Sequence, residues 1–169
     1  MLSSSFFDNL KNKNFKLEVE NKTNPYKFTF NGKKFSLCLK NIGFAYRTNL
    51  DEYRVQIGER NRIKLKEYHL DGYWALIFGY HKNSGTFTAW DNKLLFSSRA
   101  KNRSLYTRDS ICNRASETGI EYYRYTDNLI KEETVAVTLT GGNLNKYFNQ
   151  IKTLNVHQYK SFISFNRNL

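Results

Sequence analysis

The chain has 169 residues, a length expected of one domain with room for a sizeable core around its 27 aromatic side chains. Lys and Arg number 27 against 15 Asp and Glu, giving a net charge of +12 and a pI near 9.7, so a polyanion is the expected partner. No run approaches the roughly 18 apolar residues of a membrane-spanning helix, and MLSSSFFDNLKNKN has no signal-peptide pattern, so a soluble cytoplasmic protein without membrane contact is the expectation.

Residues 27–40 (KFTFNGKKFSLCLK) predict a hairpin, because Asn31-Gly32 between alternating apolar residues accepts the positive φ of a tight turn. Phe28 and Phe30 then share one face, and Phe35, Leu37 and Leu39 another. Tyr53-Arg54-Val55-Gln56-Ile57 alternates too, turning Val55 and Ile57 inward and leaving Arg54 and Gln56 on a face equipped to touch DNA. The apolar run Tyr73 to Tyr80 and the segment Gly85 to Trp90 predict a central hairpin around the turn residues 81–84, with Tyr73, Phe87 and Trp90 in the core.

Thr107 to Thr118 predicts a short helix, with Asp109 near its start and Gly119 beyond its end. Strands follow at Ile120 to Tyr125 and Thr134 to Thr140, where Val135, Val137 and Leu139 share a face, and a last helix spans Asn143 to Ile151. Short strands with two small helices predict a mainly β domain of barrel or pseudobarrel type, and not a doubly wound nucleotide-binding fold. Cys38 and Cys112 form no CxxC pair and are expected as core thiols. His69, His81 and His157 lack metal-site spacing and are expected at the surface or a strand edge; no metal and no cofactor is assigned.

The most distinctive stretch is the seventeen residues between Asp91 and Asp109, NKLLFSSRAKNRSLYTR, with five basic side chains and no acidic one. Arg and Lys neutralise phosphates and reach guanine edges, while short amides and hydroxyls fix register on a duplex. The bland alternative is a solvated basic face. A second polar segment, Ala45 to Glu52, precedes the strand YRVQI. Two polar arms thus emerge from a β scaffold.

In order along the chain, Glu52-Tyr53-Arg54-Val55-Gln56, Ile77-Phe78-Gly79-Tyr80, Thr86-Phe87-Thr88-Ala89-Trp90-Asp91, Ser104-Leu105-Tyr106-Thr107, Ala115 and Gly119 resemble the recognition domains of restriction enzymes of the EcoRII and BfiI type. Those domains share the B3 fold of plant transcription factors, and the nearest kin suggested are the N-terminal domains of McrB-like, LlaJI-type restriction subunits. The resemblance implies a seven-stranded open β pseudobarrel in a single domain over residues 1–169, its core about 26–151, with 152–169 extending toward a further domain. It implies sequence-specific binding of double-stranded DNA in the major groove, as the target-recognition domain of a restriction–modification system.

Carried over by position, the N-arm comprises Tyr46, Arg47, Thr48, Asn49, Asp51, Glu52, Arg54 and Gln56. The C-arm comprises Asn92, Lys93, Ser97, Ser98, Arg99, Lys101, Asn102, Arg103 and Ser104. Arginines fork onto guanine, Asn and Gln pair with adenine, and Asp51 or Glu52 accepts from cytosine. Arg54 with Asp51 or Glu52 is equally an ordinary surface pair. Leu94-Leu95-Phe96 either anchors the C-arm, meets thymine methyl groups or continues the preceding strand. By the same resemblance this domain performs no chemistry; a GTP-dependent motor domain and a separate nuclease subunit are the partners expected of the whole protein. No GxxxxGK[ST] loop is present in these residues.

Other functions compete. Asp8 with Glu20 and Lys22 formally fits a metal-dependent nuclease, but an E-x-K triplet arises easily in a lysine-rich chain. The tyrosines and phenylalanines could instead stack single-stranded nucleic acid on a barrel. A protein-contact surface over Val156 to Phe165 is a further alternative.

Overall fold

In the computed structural model, which describes residues 2–11, 14–46, 48–96 and 101–149, the chain begins with a helix, α1 (Leu2–Leu10), that buries Phe6, Phe7 and Leu10. Strands β1 (Leu17–Val19), β2 (Tyr26–Phe30) and β3 (Lys33–Asn41) follow as an antiparallel meander. The β2–β3 turn is the expected one: Asn31 and Gly32 take φ of 49° and 74°. After the two-residue β4 (Gly43–Phe44) and β5 (Glu52–Ile57), helix α2 (Glu59–Leu70) carries the chain back to β6 (Trp74–His81), which pairs parallel with β3.

Strand β7 (Thr86–Trp90) closes the predicted central hairpin with β6, and a single turn of helix, α3 (Lys93–Phe96), leads toward β8 (Arg103–Arg108). Helix α4 (Asp109–Thr118) then stops at Gly119, whose φ of 88° is the left-handed stop expected there. Strands β9 (Ile120–Thr126) and β10 (Glu133–Thr140) and helix α5 (Leu144–Asn149) complete the described chain.

Seven strands form one mixed sheet in the order β1-β2-β3-β6-β7-β10-β9, and β4-β5-β8 form a second, antiparallel sheet. The domain is mainly β with short helices, as expected, and its large sheet is not closed into a barrel: β1 and β9 are its two edges, and no ladder joins them among the described residues. The inner strands are buried on both faces: β6 reads as a near-continuous apolar run, while β7 and β10 place buried threonines among their apolar residues.

On one face Phe35, Leu37, Leu39, Phe78, Phe87, Val135, Val137 and Leu139 pack under α1 and α5. Phe6 meets Phe78 and Phe87 edge-on at 5.4 Å, and Phe148 meets Phe35 at 5.0 Å, the edge-to-face packing that aromatic quadrupoles favour. On the other face Cys38, Ala75, Ile77, Trp90 and Ala136 pack against Val55, Ile57 and Leu105 of the small sheet and Leu65 of α2. Both cysteines are buried, and burial pushes the Cys38 thiol up to about 11.

Trp90 joins the two sheets. Its indole lies against Gly79, where an added Cβ would stand 2.5 Å from Ile42 and 2.8 Å from the ring, and its Nε1 donates to the Tyr106 carbonyl at 2.8 Å. The residue type at Gly79 is set by that approach, and the indole fixes the height of β8 above the large sheet.

Of the histidines expected at the surface or a strand edge, His69 is 3% exposed and His81, the last residue of β6, is 2% exposed, so both are buried. His69 Nδ1 bonds the Tyr73 carbonyl at 3.2 Å, which closes α2 onto β6. His81 sits edge-on to Tyr53, with Nδ1 2.8 Å from Ser84 Oγ and Nε2 3.1 Å from Asp109 Oδ1. Ser84 Oγ is shared with Thr86 Oγ1 at 2.7 Å, so this row of polar groups pins the β6–β7 hairpin to the start of α4. His157 lies outside the described residues.

Burial holds the His81 pKa below its ordinary value, with Asp109 opposing that shift. A base with a depressed folded pKa takes up its proton more readily when unfolded. The stability it permits is complete above the ordinary histidine pKa of about 6.5 and is lost as pH falls through the folded value. The melting temperature is therefore expected to fall between about pH 7.5 and 5, and His81→Gln should flatten that part of a thermal-melt profile.

Candidate nucleic-acid interface

The register of the small sheet builds the site. Strand β5 pairs antiparallel with β8 so that Glu52 faces Arg108, Arg54 faces Tyr106 and Gln56 faces Ser104, while Val55 faces Leu105 and Ile57 faces Arg103. Side chains alternate across a strand, so the second set enters the core and the first shares the opposite face. Gln56 and Arg108 are exposed, and Glu52, Arg54, Ser104 and Tyr106 are half-buried. Two cations, an amide, a hydroxyl and a phenol thus stand side by side on a rigid ladder, the support that a precise reading surface needs.

Arg54 makes no ion pair to Asp51 or Glu52 among the described residues. Asp51 is occupied elsewhere: its Oδ1 accepts from the Ser110 backbone N–H at 2.7 Å and its Oδ2 from the Ser110 hydroxyl at 2.7 Å. It therefore caps the first turn of α4 from a distant loop.

The loop from Ala45 to Asp51 bulges beside this face. Tyr46 is 86% exposed with φ of 53°, and Leu50 is 78% exposed, both unusual for apolar or bulky side chains. Thr48 and Asn49 are also exposed. Asn49 Oδ1 accepts from the Asp51 N–H at 3.0 Å, which tightens the turn. Arg47 lies outside the described residues.

The C-arm is only partly where the sequence placed it. Lys101 and Asn102 are exposed at the entry to β8, and Ser104 lies on the shared face. Asn92 is 5% exposed and donates to the Ala75 carbonyl at 3.2 Å, and Lys93 pairs with Glu132 at 2.8 Å. Arg103 is 4% exposed, its Nε donating to the Leu94 carbonyl at 2.9 Å and its Nη2 lying 2.5 Å from Asp127 Oδ1.

Asn92 and Arg103 are thus turned inward onto these partners, whereas Lys93 is half-buried and pairs with an exposed carboxylate. Ser97, Ser98 and Arg99 lie outside the described residues. Leu94 is fully buried and Phe96 packs against the same core, so these two residues of helix α3 anchor the arm, and the segment does not continue β7.

Asp127 organises the next loop. Its Oδ1 also accepts from the backbone N–H groups of Leu129 and Ile130, at 3.0 and 3.1 Å. Burial would raise its pKa, but the Arg103 hydrogen bond, the two backbone donors and the Arg103 charge outweigh burial and hold the carboxyl below its usual range.

Sequence reasoning missed Tyr106 and Arg108 as members of the face, and it missed the whole of α2. Alternation through RSLYTR, with Leu105 and Thr107 inward, is the signal that would have found the first two. Helix α2 adds Arg60, Lys64 and Lys66 to the basic surface, and its Arg62 reaches the Lys101 carbonyl at 3.5 Å. Arg108 lies over the Tyr123 ring at 5.3 Å, and Tyr123 stacks on Tyr125 at 5.1 Å with a 20° interplanar angle.

The carboxylates of the nuclease alternative do not converge. Asp8 pairs with Lys11, whereas Glu20 accepts from the Tyr73 hydroxyl and pairs with Lys27. Among the described residues no group of three or more His, Cys, Asp or Glu stands close enough to hold a metal ion.

A family model described as Methylase-associated X1 matches residues 33–148, from the first residue of β3 into α5, well over half of the chain and including every part of the face just described. No curated protein and no solved structure matches.

Proposed function

We propose that this chain, which belongs to the Methylase-associated X1 family and so to restriction–modification systems, recognises double-stranded DNA sequence for such a system. The observation that carries the reading is the β5–β8 register, which lines up Arg54, Gln56, Ser104, Tyr106 and Arg108 on one solvent-facing ladder in a protein of net charge +12. Arg54 and Gln56 are the base readers: the fork of one matches guanine and the amide of the other matches adenine. Arg108, Lys101 and the cations of α2 hold phosphates and set register.

The two arms flank this ladder, the exposed loop at Tyr46 to Leu50 on one side and Lys101 with Asn102 on the other. That two-arm arrangement is what the proposal retains of a B3-like, McrB-like kinship; a motor domain and a nuclease subunit would act on what this domain has found. Base recognition needs no catalytic group here, and the proposal gives the chain none.

Selection from randomised duplexes at near-physiological salt tests the reading, with enrichment of one motif expected and preferred binding of single strands standing against it. On the enriched duplex Arg108→Ala should weaken binding equally for all sequences. It should also lower the slope of log K against log salt by about 1, as the loss of one phosphate contact requires.

A further inference from the structure

Between β8 and β9 lies a cavity of about 410 Å³ walled by Tyr106, Tyr123 and Tyr125, with Asn102, Ser104 and Glu52 along the side shared with the reading face. We propose that it receives a single nucleobase swung out of the duplex; the inference rests on the DNA-recognition reading and adds distortion of the DNA to it. The volume suits one small planar ligand. Tyr106 and the Tyr123–Tyr125 stack make its wall aromatic, a lining on which every base gains, and the amides and hydroxyls can meet a base edge.

Arg103 and Asp127 line the cavity as a matched ion pair, so no unpaired cation of that pair calls a phosphate inside, and the exposed guanidinium of Arg108, which packs on the Tyr123 ring, stands ready for it.

Extrusion leaves a gap in the stack, and the rim of the cavity carries a group to fill it. Leu129 lines the cavity and is 60% exposed. Its loop is built to hold position: Asp127 accepts from the Leu129 and Ile130 N–H groups, the Lys131 N–H donates to the Asp127 carbonyl at 2.8 Å, and the Asp127 N–H donates to the Glu132 carbonyl at 2.9 Å. An apolar wedge on a rigid loop beside an aromatic cavity is the arrangement that opens a base step.

The test uses the duplex enriched by selection and a series in which an abasic site replaces, one at a time, the partner of each base in the motif. A base freed of its partner costs less to extrude, so one member of the series should bind about tenfold tighter or more than the intact duplex. Asn128→Trp, at a lining position outside the reading face, should block the cavity and abolish that gain. Leu129→Ala, at an exposed position that folding does not need, should weaken binding to the intact duplex and spare the abasic one.

Specific binding of the intact duplex with no abasic member tighter, or a gain that survives Asn128→Trp, overturns the cavity proposal and leaves the recognition reading standing. Absence of any specific duplex binding overturns both.

Discussion

Asp127→Ala is expected to cost about 3–5 kcal/mol, the penalty for leaving the buried guanidinium of Arg103 without its counter-charge. Both partners are nearly inaccessible, at 4% and 6% side-chain exposure, so solvent screens the pair little. The loss extends beyond one ion pair, because Asp127 also terminates the N–H groups of Leu129 and Ile130 and so shapes the β9–β10 loop. Arg103→Ala should be equally damaging, with the carboxylate now stranded. Replacing both with apolar residues, Arg103→Met with Asp127→Leu, should recover much of the loss, and urea denaturation of the four proteins measures it.

The same pair gives an acid limb. The folded pKa of Asp127 lies below its unfolded value, so its contribution is complete above the unfolded value of about 3.9 and disappears as pH falls through the folded one. Acid unfolding below about pH 4 should therefore be shallower in Asp127→Asn than in the native chain, although the variant starts from lower stability.

Trp90→Ala should cost a similar amount, about 3–5 kcal/mol, by opening a cavity between the two sheets. The indole is 1% exposed, packs on Gly79 and donates to the Tyr106 carbonyl, so its removal also orphans an acceptor on β8. Gly79→Ala attacks the same contact from the other side, at about 1–3 kcal/mol for overpacking. A double-mutant cycle separates packing from backbone effects: with Trp90 gone the added methyl has room, and the cost of Gly79→Ala should shrink. Because β8 carries Ser104, Tyr106 and Arg108, DNA affinity should fall in Trp90→Ala even at temperatures where the protein remains folded.

Much of the scaffold is legible in the sequence where one physical signal acts alone. Asn31-Gly32 and Gly119 announce their positive φ, and the alternation of Val135, Val137 and Leu139 announces a half of the core. Helix α2 stayed hidden because its apolar residues do not share a stripe: Ile63 and Leu70 are exposed, and only Leu65 and His69 are buried. Its burial is decided by the parallel β3–β6 crossover, a long-range pairing that no local window contains.

For the site, the strand Tyr53 to Ile57 was readable because alternation separates Arg54 and Gln56 from Val55 and Ile57. The basic stretch after Asp91 was not, since composition cannot tell a phosphate-gripping arginine from one folded inward. Arg103 and Arg108 differ by five positions; the first completes the core charge of Asp127 and the second faces solvent. The partner in each case is fixed by β9, whose place beside the small sheet emerges only from the assembled fold.

The central claim is that the β5–β8 ladder reads bases, and repeating the selection with Arg54→Ala tests it most directly. Arg54 is half-buried between its cross-strand neighbours Gly43 and Tyr106, so the substitution leaves the ladder intact. If Arg54 reads a guanine, the motif should lose its preference at one base pair and keep the others, with about 1–3 kcal/mol lost on the original duplex. An unchanged motif bound with unchanged affinity would contradict the claim.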